Sequence, residues 1–159
     1  MNNNVQPITE VLVPMDFSKS SRHALEFAKR IIEASHARLH LLSVDDDPLL
    51  MQQGTSQKAR DAHEDKMAMK FIDCLTPDQR ERYHTVMTIK CGTAYHEIEE
   101  YAREQAIDLI VIGRVGRSAL ADVMLGSVAA HVIRHAPCPV VAVRPEHTVL
   151  PTPPAESET

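Results

Sequence analysis

The stretch "VIGRVGRSALADVMLGSVAAHVIRHAPCPVVAV", Val111 to Val143, holds three of the chain's five glycines: Gly113, Gly116 and Gly126. It opens in the apolar run "IDLIVIG", passes through "SVAAHVIRHA" with apolar residues at helical spacing, and closes on a second apolar run, "CPVVAVR". A strand buried on both faces reads as continuously apolar rather than alternating. Strand, glycine, helix and strand in that order is the repeating unit of a parallel sheet.

Outward from this segment the same rhythm recurs. "EVLVPMD" (Glu10 to Asp16) reads as a short buried strand ended by Pro14, and "SKSSRHALEFAKRIIEA" as the helix after it, with Ser18 as its N-cap. "ARLHLLSV" is a second strand and "YHTVMTIKCG" a third. "QKARDAHEDKMAMKFIDCL" is expected as an amphipathic helix, Thr76-Pro77-Asp78-Gln79 as a capping box, and "TAYHEIEEYAREQA" as a further helix. The fold class expected is α/β: a doubly wound five-stranded parallel sheet with helices on both faces, a three-layer sandwich with right-handed crossovers.

A chain of 159 residues suits a single domain. We expect a flexible N-terminus over 1–7, the domain over 8–145, and a disordered tail over 146–159, where proline is frequent and periodicity absent. The net charge of -5, and aromatics at only 4%, argue against a nucleic-acid partner. No apolar run approaches the ~20 residues that cross a bilayer, and the polar start shows no leader, so no membrane and a cytoplasmic location are expected. Cys74, Cys91 and Cys138 form no disulfide framework and no zinc spacing, and read as small, reduced, mostly buried side chains.

In an open α/β sheet, ligands bind beyond the carboxyl ends of the strands where the winding reverses. Gly113-x-x-Gly116 would let the backbone turn and approach a ligand there, and Gly126-Ser127 opens a helix whose amides favour an anion. Arg114 and Arg117 flank the first turn and could add bidentate phosphate contacts. Plain turn chemistry explains Gly-x-x-Gly equally well. It is neither a Walker loop nor a dinucleotide fingerprint.

At these residues the chain resembles the universal stress protein family. The pattern Gly-x2-Gly-x9-Gly-Ser/Thr, set between a buried strand and a helix ending in "RHAPCPVVAV", is similar to that of its ATP-binding branch. "VLVPMDFSKSSRHALEFA" resembles the family's opening strand, turn and helix, and the likeness runs from Thr9 to about Arg144. It implies an adenine-nucleotide α-hydrolase-like sandwich that binds ATP, or ADP or AMP, with Mg. By position, Pro14, Asp16 and Val44 would line the adenosine pocket. Ile112, Gly113, Gly116 and Arg117 would form the first phosphate turn, and Gly126, Ser127 and Val128 the second. It also implies a homodimer paired through the last strand, Pro139 to Arg144, and a nucleotide-dependent role in the stress response. Where the family commonly has Gly-Ser-His-Gly this chain has Gly113-Arg114-Val115-Gly116, and Ala129 stands where Ser or Thr is common. Weakened or altered affinity is the expected effect.

Asp16 could serve a ribose hydroxyl or a Mg²⁺ held by phosphates, or it could cap the following helix. The Asp45-Asp46-Asp47 run could attract a cation, or be a solvated loop. "DDDPLLMQQGTSQK" could act as a lid. His131 and His135 stand four apart on one helix, a metal-compatible spacing, but no third ligand is evident, so no metal site from protein groups alone is expected. Between Ile107 and Ala130 there is no Glu, Lys or His. The expected activity is therefore binding, with slow Mg-dependent ATP hydrolysis or a vestigial site on a dimeric interaction module as alternatives.

Overall fold

The computed structural model describes residues 6–47, 56–114 and 125–144. In chain order these form β1 (Glu10–Pro14), α1 (Lys19–Ser35), β2 (Arg38–Asp45), α2 (Gln57–Ile72), α3 (Pro77–Arg82), β3 (Val86–Cys91), α4 (Ala94–Glu104), β4 (Leu109–Gly113), α5 (Ser127–His135) and β5 (Val140–Val143). The strands make one sheet in the order β3-β2-β1-β4-β5, every pair parallel. The chain winds outward from β1 to β3, returns past β1, and winds outward again through β4 and β5. The expected doubly wound α/β architecture is the one observed.

Successive strand residues face opposite sides of the sheet, and each side has its own core. Val11, Val13, Leu39, Leu41, Leu109 and Val111 pack with Ala24, Leu25, Ala28 and Ile32 of α1, and with Phe71 and Tyr83. Leu12, Leu42, Ile110 and Ile112 pack on the other side with Ile98, Tyr101 and Ala102 of α4 and Ala129 and Val132 of α5. Both faces are thus covered, which is why these strands carry apolar side chains at almost every position.

The local signals for helix ends hold. Ser18 caps α1, its Oγ accepting from the Ser21 amide at 3.2 Å. Thr76 and Gln79 exchange both bonds of a capping box, with Pro77 opening α3. The helix after β2 differs from expectation. It ends at Ile72 and buries only Met67 and Phe71, while Met69 and Ile72 stay 60% and 45% exposed. Its buried apolar side chains come from its second half alone, and its first half meets the sheet through a polar contact, His63 with Asp45, so it needs no apolar stripe there. The third strand starts at Val86, later than expected, because Tyr83 ends α3 and turns inward to donate its hydroxyl to Glu33 Oε1 at 2.9 Å. Burial and this carboxylate together push the Tyr83 phenol pKa up.

The amino-terminal edge of the sheet is tied by Asp108. Its Oδ2 accepts from the Thr9 amide at 2.8 Å, the Thr9 hydroxyl at 2.8 Å and the Glu10 amide at 3.0 Å. On the face covered by α4, His40 is 2% exposed and lies between Glu10 Oε2 at 2.7 Å and the Tyr101 hydroxyl at 2.9 Å. A buried imidazole is tolerated there because both ring nitrogens have partners. No helix among the described residues is long and apolar enough to cross a membrane.

Candidate functional site

The winding reverses between β1 and β4, which lie side by side at the centre of the sheet. A crevice at their carboxyl ends is the position where this architecture binds ligands. Pro14 ends β1 opposite Leu42, and the Met15 amide donates to Leu42 O at 2.8 Å, carrying the pairing one residue further. The chain then turns sharply. Asp16 Oδ1 accepts from the Ser18 amide at 3.0 Å, and Phe17 adopts a left-handed φ of 62°. That turn delivers Ser18 to its capping position, so Asp16 has a structural role at the head of α1. Val44 sits near the end of β2, half-buried beside the core that holds Leu12 and Ile112.

Ile112 is 5% exposed and Gly113 ends β4 opposite Val143. Gly113 is demanded by packing. A Cβ built on it would lie 2.7 Å from Ser20 Oγ, 2.8 Å from Ser20 C and 2.9 Å from Ser20 O. The first turn of α1 therefore crosses the end of β4 at a distance only glycine permits. Arg114 then donates its amide to Val143 O at 2.9 Å and accepts from the Gly126 amide at 2.8 Å. This last bond fixes the start of α5 beside the end of β4. Gly116 and Arg117, expected in the first phosphate turn, lie outside the described residues, as do positions 48–55 of the expected lid.

Gly126 is the N-cap of α5, with φ -61° and ψ 151°, and no side chain caps the helix. The amides of Ser127 and Val128 thus open a nine-residue helix without a side-chain acceptor. Unsatisfied amides and the positive dipole end together favour an anion at this point. Ser127 is exposed and Val128 half-buried, so the helix start faces outward while Ala129 closes the core behind it. The described part of the candidate site therefore contains Pro14, Asp16, Val44, Ile112, Gly113, Gly126, Ser127 and Val128, gathered from three strand ends and one helix start.

The acidic run begins at Asp45, the last residue of β2, and that carboxylate is engaged within the fold. Its Oδ1 accepts from the Asp47 amide at 2.8 Å, and Oδ2 pairs with His63 of α2. The thiols carry no sign of a nucleophile. Burial raises the pKa of Cys74, Cys91 and Cys138, and Asp45 adds to this at Cys91 and Asp108 at Cys138. Cys91 is exposed, contrary to the expected burial, because β3 is an edge strand and Cys91 is its last residue. One group of side chains could not be found by spacing: Glu99 of α4 lies beside His131 and His135 of α5, all three donor atoms within 4.8 Å of one another.

Comparison with known proteins agrees with this fold. A universal stress protein from Methanocaldococcus jannaschii is 29% identical over 141 residues, 85% of this chain and 81% of that one. Among solved structures, the universal stress protein UspA from Lactobacillus plantarum is 30% identical with a TM-score of 0.71, covering 87% of this chain and 99% of its own. A universal stress protein in complex with cAMP (24% identical, TM-score 0.64, 88% and 99% coverage) has the same fold. So does a family member from Arabidopsis thaliana with AMP bound (23%, TM-score 0.58, 93% and 99%). The universal stress protein family model matches residues 7–144. Five parallel strands, a central β1–β4 junction and a match over nearly the whole chain lead to one conclusion: the chain belongs to the universal stress protein family.

Proposed function

We propose that this protein binds an adenine nucleotide across the ends of β1, β2 and β4, with its phosphates at the start of α5, and regulates a stress response by its nucleotide-dependent state. The observation that carries this reading is the Gly126 amide bond to Arg114 O, which sets an uncapped helix start against the β1–β4 crevice. Pro14, Asp16 and Val44 would meet the adenosine. Ile112, Gly113, Gly116 and Arg117 would meet the phosphates on one side, and Gly126, Ser127 and Val128 on the other. The AMP and cAMP held by two proteins of this fold support adenine as the base. ATP with Mg is the ligand we favour, because two turns can hold more phosphate than one.

β5 lies at an edge of the sheet, its four residues only half-buried. An uncovered edge of this kind invites pairing, and a second copy through Pro139 to Arg144 would cover it with two-fold symmetry. Isothermal titration of untagged, nucleotide-stripped protein tests the nucleotide reading with Mg·ATP, ADP, AMP and cAMP in turn. Saturable heat at micromolar to low millimolar ligand is expected, and its absence for all four would refute it.

A second reading, an interaction module with a vestigial site, is favoured by one observation. Ala129 is 3% exposed in the core and offers no hydroxyl to a phosphate. Dimerisation without nucleotide heat would establish that reading. Phosphate release from Mg·ATP that Gly126→Ala abolishes would instead mark a slow ATPase.

A further inference from the structure

Away from the nucleotide crevice, on the outer surface where α4 packs beside α5, Glu99 presents a buried carboxylate. The residue is 9% exposed, and its Oε1 is buried without a hydrogen bond among the described residues. His131 Nε2 stands 3.4 Å from that oxygen without forming one. The other carboxylate oxygen faces Arg103 Nη2 at 3.9 Å. A buried carboxylate oxygen without a donor is costly unless something else meets it.

Two imidazoles converge on it. His131 and His135 are one turn apart on α5, their ring centroids 4.2 Å apart, and His131 is stacked on Tyr95 of α4 at 3.9 Å. His135 Nδ1 lies 3.0 Å from His131 O. A carbonyl only accepts, so Nδ1 carries the proton and Nε2 presents its lone pair outward. This is the arrangement by which a backbone carbonyl orients a metal-binding histidine. One carboxylate oxygen and two imidazole nitrogens then lie within 4.8 Å of one another. With zinc bonds of 2.0–2.1 Å, neighbouring donors in a tetrahedron are about 3.3 Å apart. The Glu99–His131 separation of 3.4 Å already matches that edge. His135 supplies the third donor from the exposed side of the group.

We propose that Glu99, His131 and His135 bind one divalent first-row transition ion, with zinc as the reference, at the α4–α5 surface. The donor set of two nitrogens and one carboxylate selects such ions over Mg²⁺, which prefers an all-oxygen shell. Water completes the coordination. The ion joins the helix that begins at Gly126 to its neighbour α4. The proposal does not depend on nucleotide binding.

The test is calorimetric titration of Zn²⁺ into the untagged, chelator-treated full chain, with and without excess Mg²⁺. We expect one Zn²⁺ per chain, undisturbed by Mg²⁺, and a higher melting temperature when it is bound. His131→Gln and His135→Gln, both at solvent-accessible positions, should each weaken binding by roughly tenfold or more while leaving the far-ultraviolet circular dichroism unchanged. His96→Gln, at an exposed member of a second group with half-buried Glu97 and with Glu100, and Cys91→Ser should leave the affinity intact. No Zn²⁺ heat, or an affinity unchanged in both His131→Gln and His135→Gln, would overturn the proposal. So would an affinity lost only in His96→Gln or Cys91→Ser.

Discussion

Gly113→Ala is the substitution a nucleotide-binding study would make first, and here it strikes the fold before it strikes the ligand. The added methyl would sit 2.7 Å from Ser20 Oγ and 2.8 and 2.9 Å from Ser20 C and O. Two of those atoms are backbone of the first turn of α1, which Ser18 holds in place through its cap on Ser21. Relief therefore requires the helix and strand to separate, and overpacking of that kind costs about 1–3 kcal/mol. At about 2–4 °C per kcal/mol for a domain of this size, the melting temperature should fall by roughly 2–12 °C. Urea denaturation of nucleotide-free protein measures this without reference to binding. Ser20→Ala added to Gly113→Ala should recover less than half of the loss, because it removes only the Oγ contact. A Gly113→Ala protein with the denaturation midpoint of its parent would refute the packing argument. Gly126→Ala is the cleaner lesion of the candidate site, since φ -61° and ψ 151° suit alanine as well as glycine.

Other expectations concern stability. Tyr101→Phe removes the partner of buried His40 Nδ1 and a 3.3 Å contact to Thr88 Oγ1, and should cost about 1–3 kcal/mol in urea; a neutral result would show that His40 finds another partner. The Thr9 amide, with the Thr9 hydroxyl and Glu10 amide, holds the Asp108 carboxyl below its ordinary value of 3.8 although burial acts in the opposite direction. A depressed folded-state pKa stabilises the protein above the unfolded value, and that stability is lost as pH falls through the folded one. Asp108→Ala should therefore lose about 1–2 kcal/mol near neutral pH, allowing for solvent screening, and should flatten the acid limb of stability below pH 4. Unchanged acid sensitivity would contradict the assignment. Ala106 occupies the left-handed position of a helix-ending motif at φ 49°, with the Ile107 amide donating to Ala102 O at 3.0 Å and the Ala106 amide to Arg103 O at 3.3 Å. Ala106→Gly should raise stability by about 0.5–1 kcal/mol by thermal melting, and a loss would show the strain to be absent.

The sheet was legible because burial on both faces leaves its mark residue by residue: "LIVIG" has no polar position to hide. Caps at Ser18 and Thr76 were legible because they are local chemistry. The helix after β2 was legible as a helix, but spacing does not reveal how much of it reaches the sheet, and it buries only Met67 and Phe71. Gly113 was noticed for its freedom to approach a ligand, whereas its neighbour is Ser20, 93 residues earlier, and only the packing of α1 across β4 shows it. Glu99 was invisible as a partner of His131 and His135 for the same reason. Helix spacing finds companions within one helix, and the third donor stands on another.

The Thr9–Asp108 bonds span a separation of 99 residues and lie at the start of the same β1–β4 junction whose far end carries the candidate site. Each half of the sheet pairs through shorter crossovers, but this seam closes a loop of 99 residues, the slowest kind of contact to form. A nucleotide seated at that site would hold the two halves of the chain together, and its affinity would report on whether the polypeptide has finished folding.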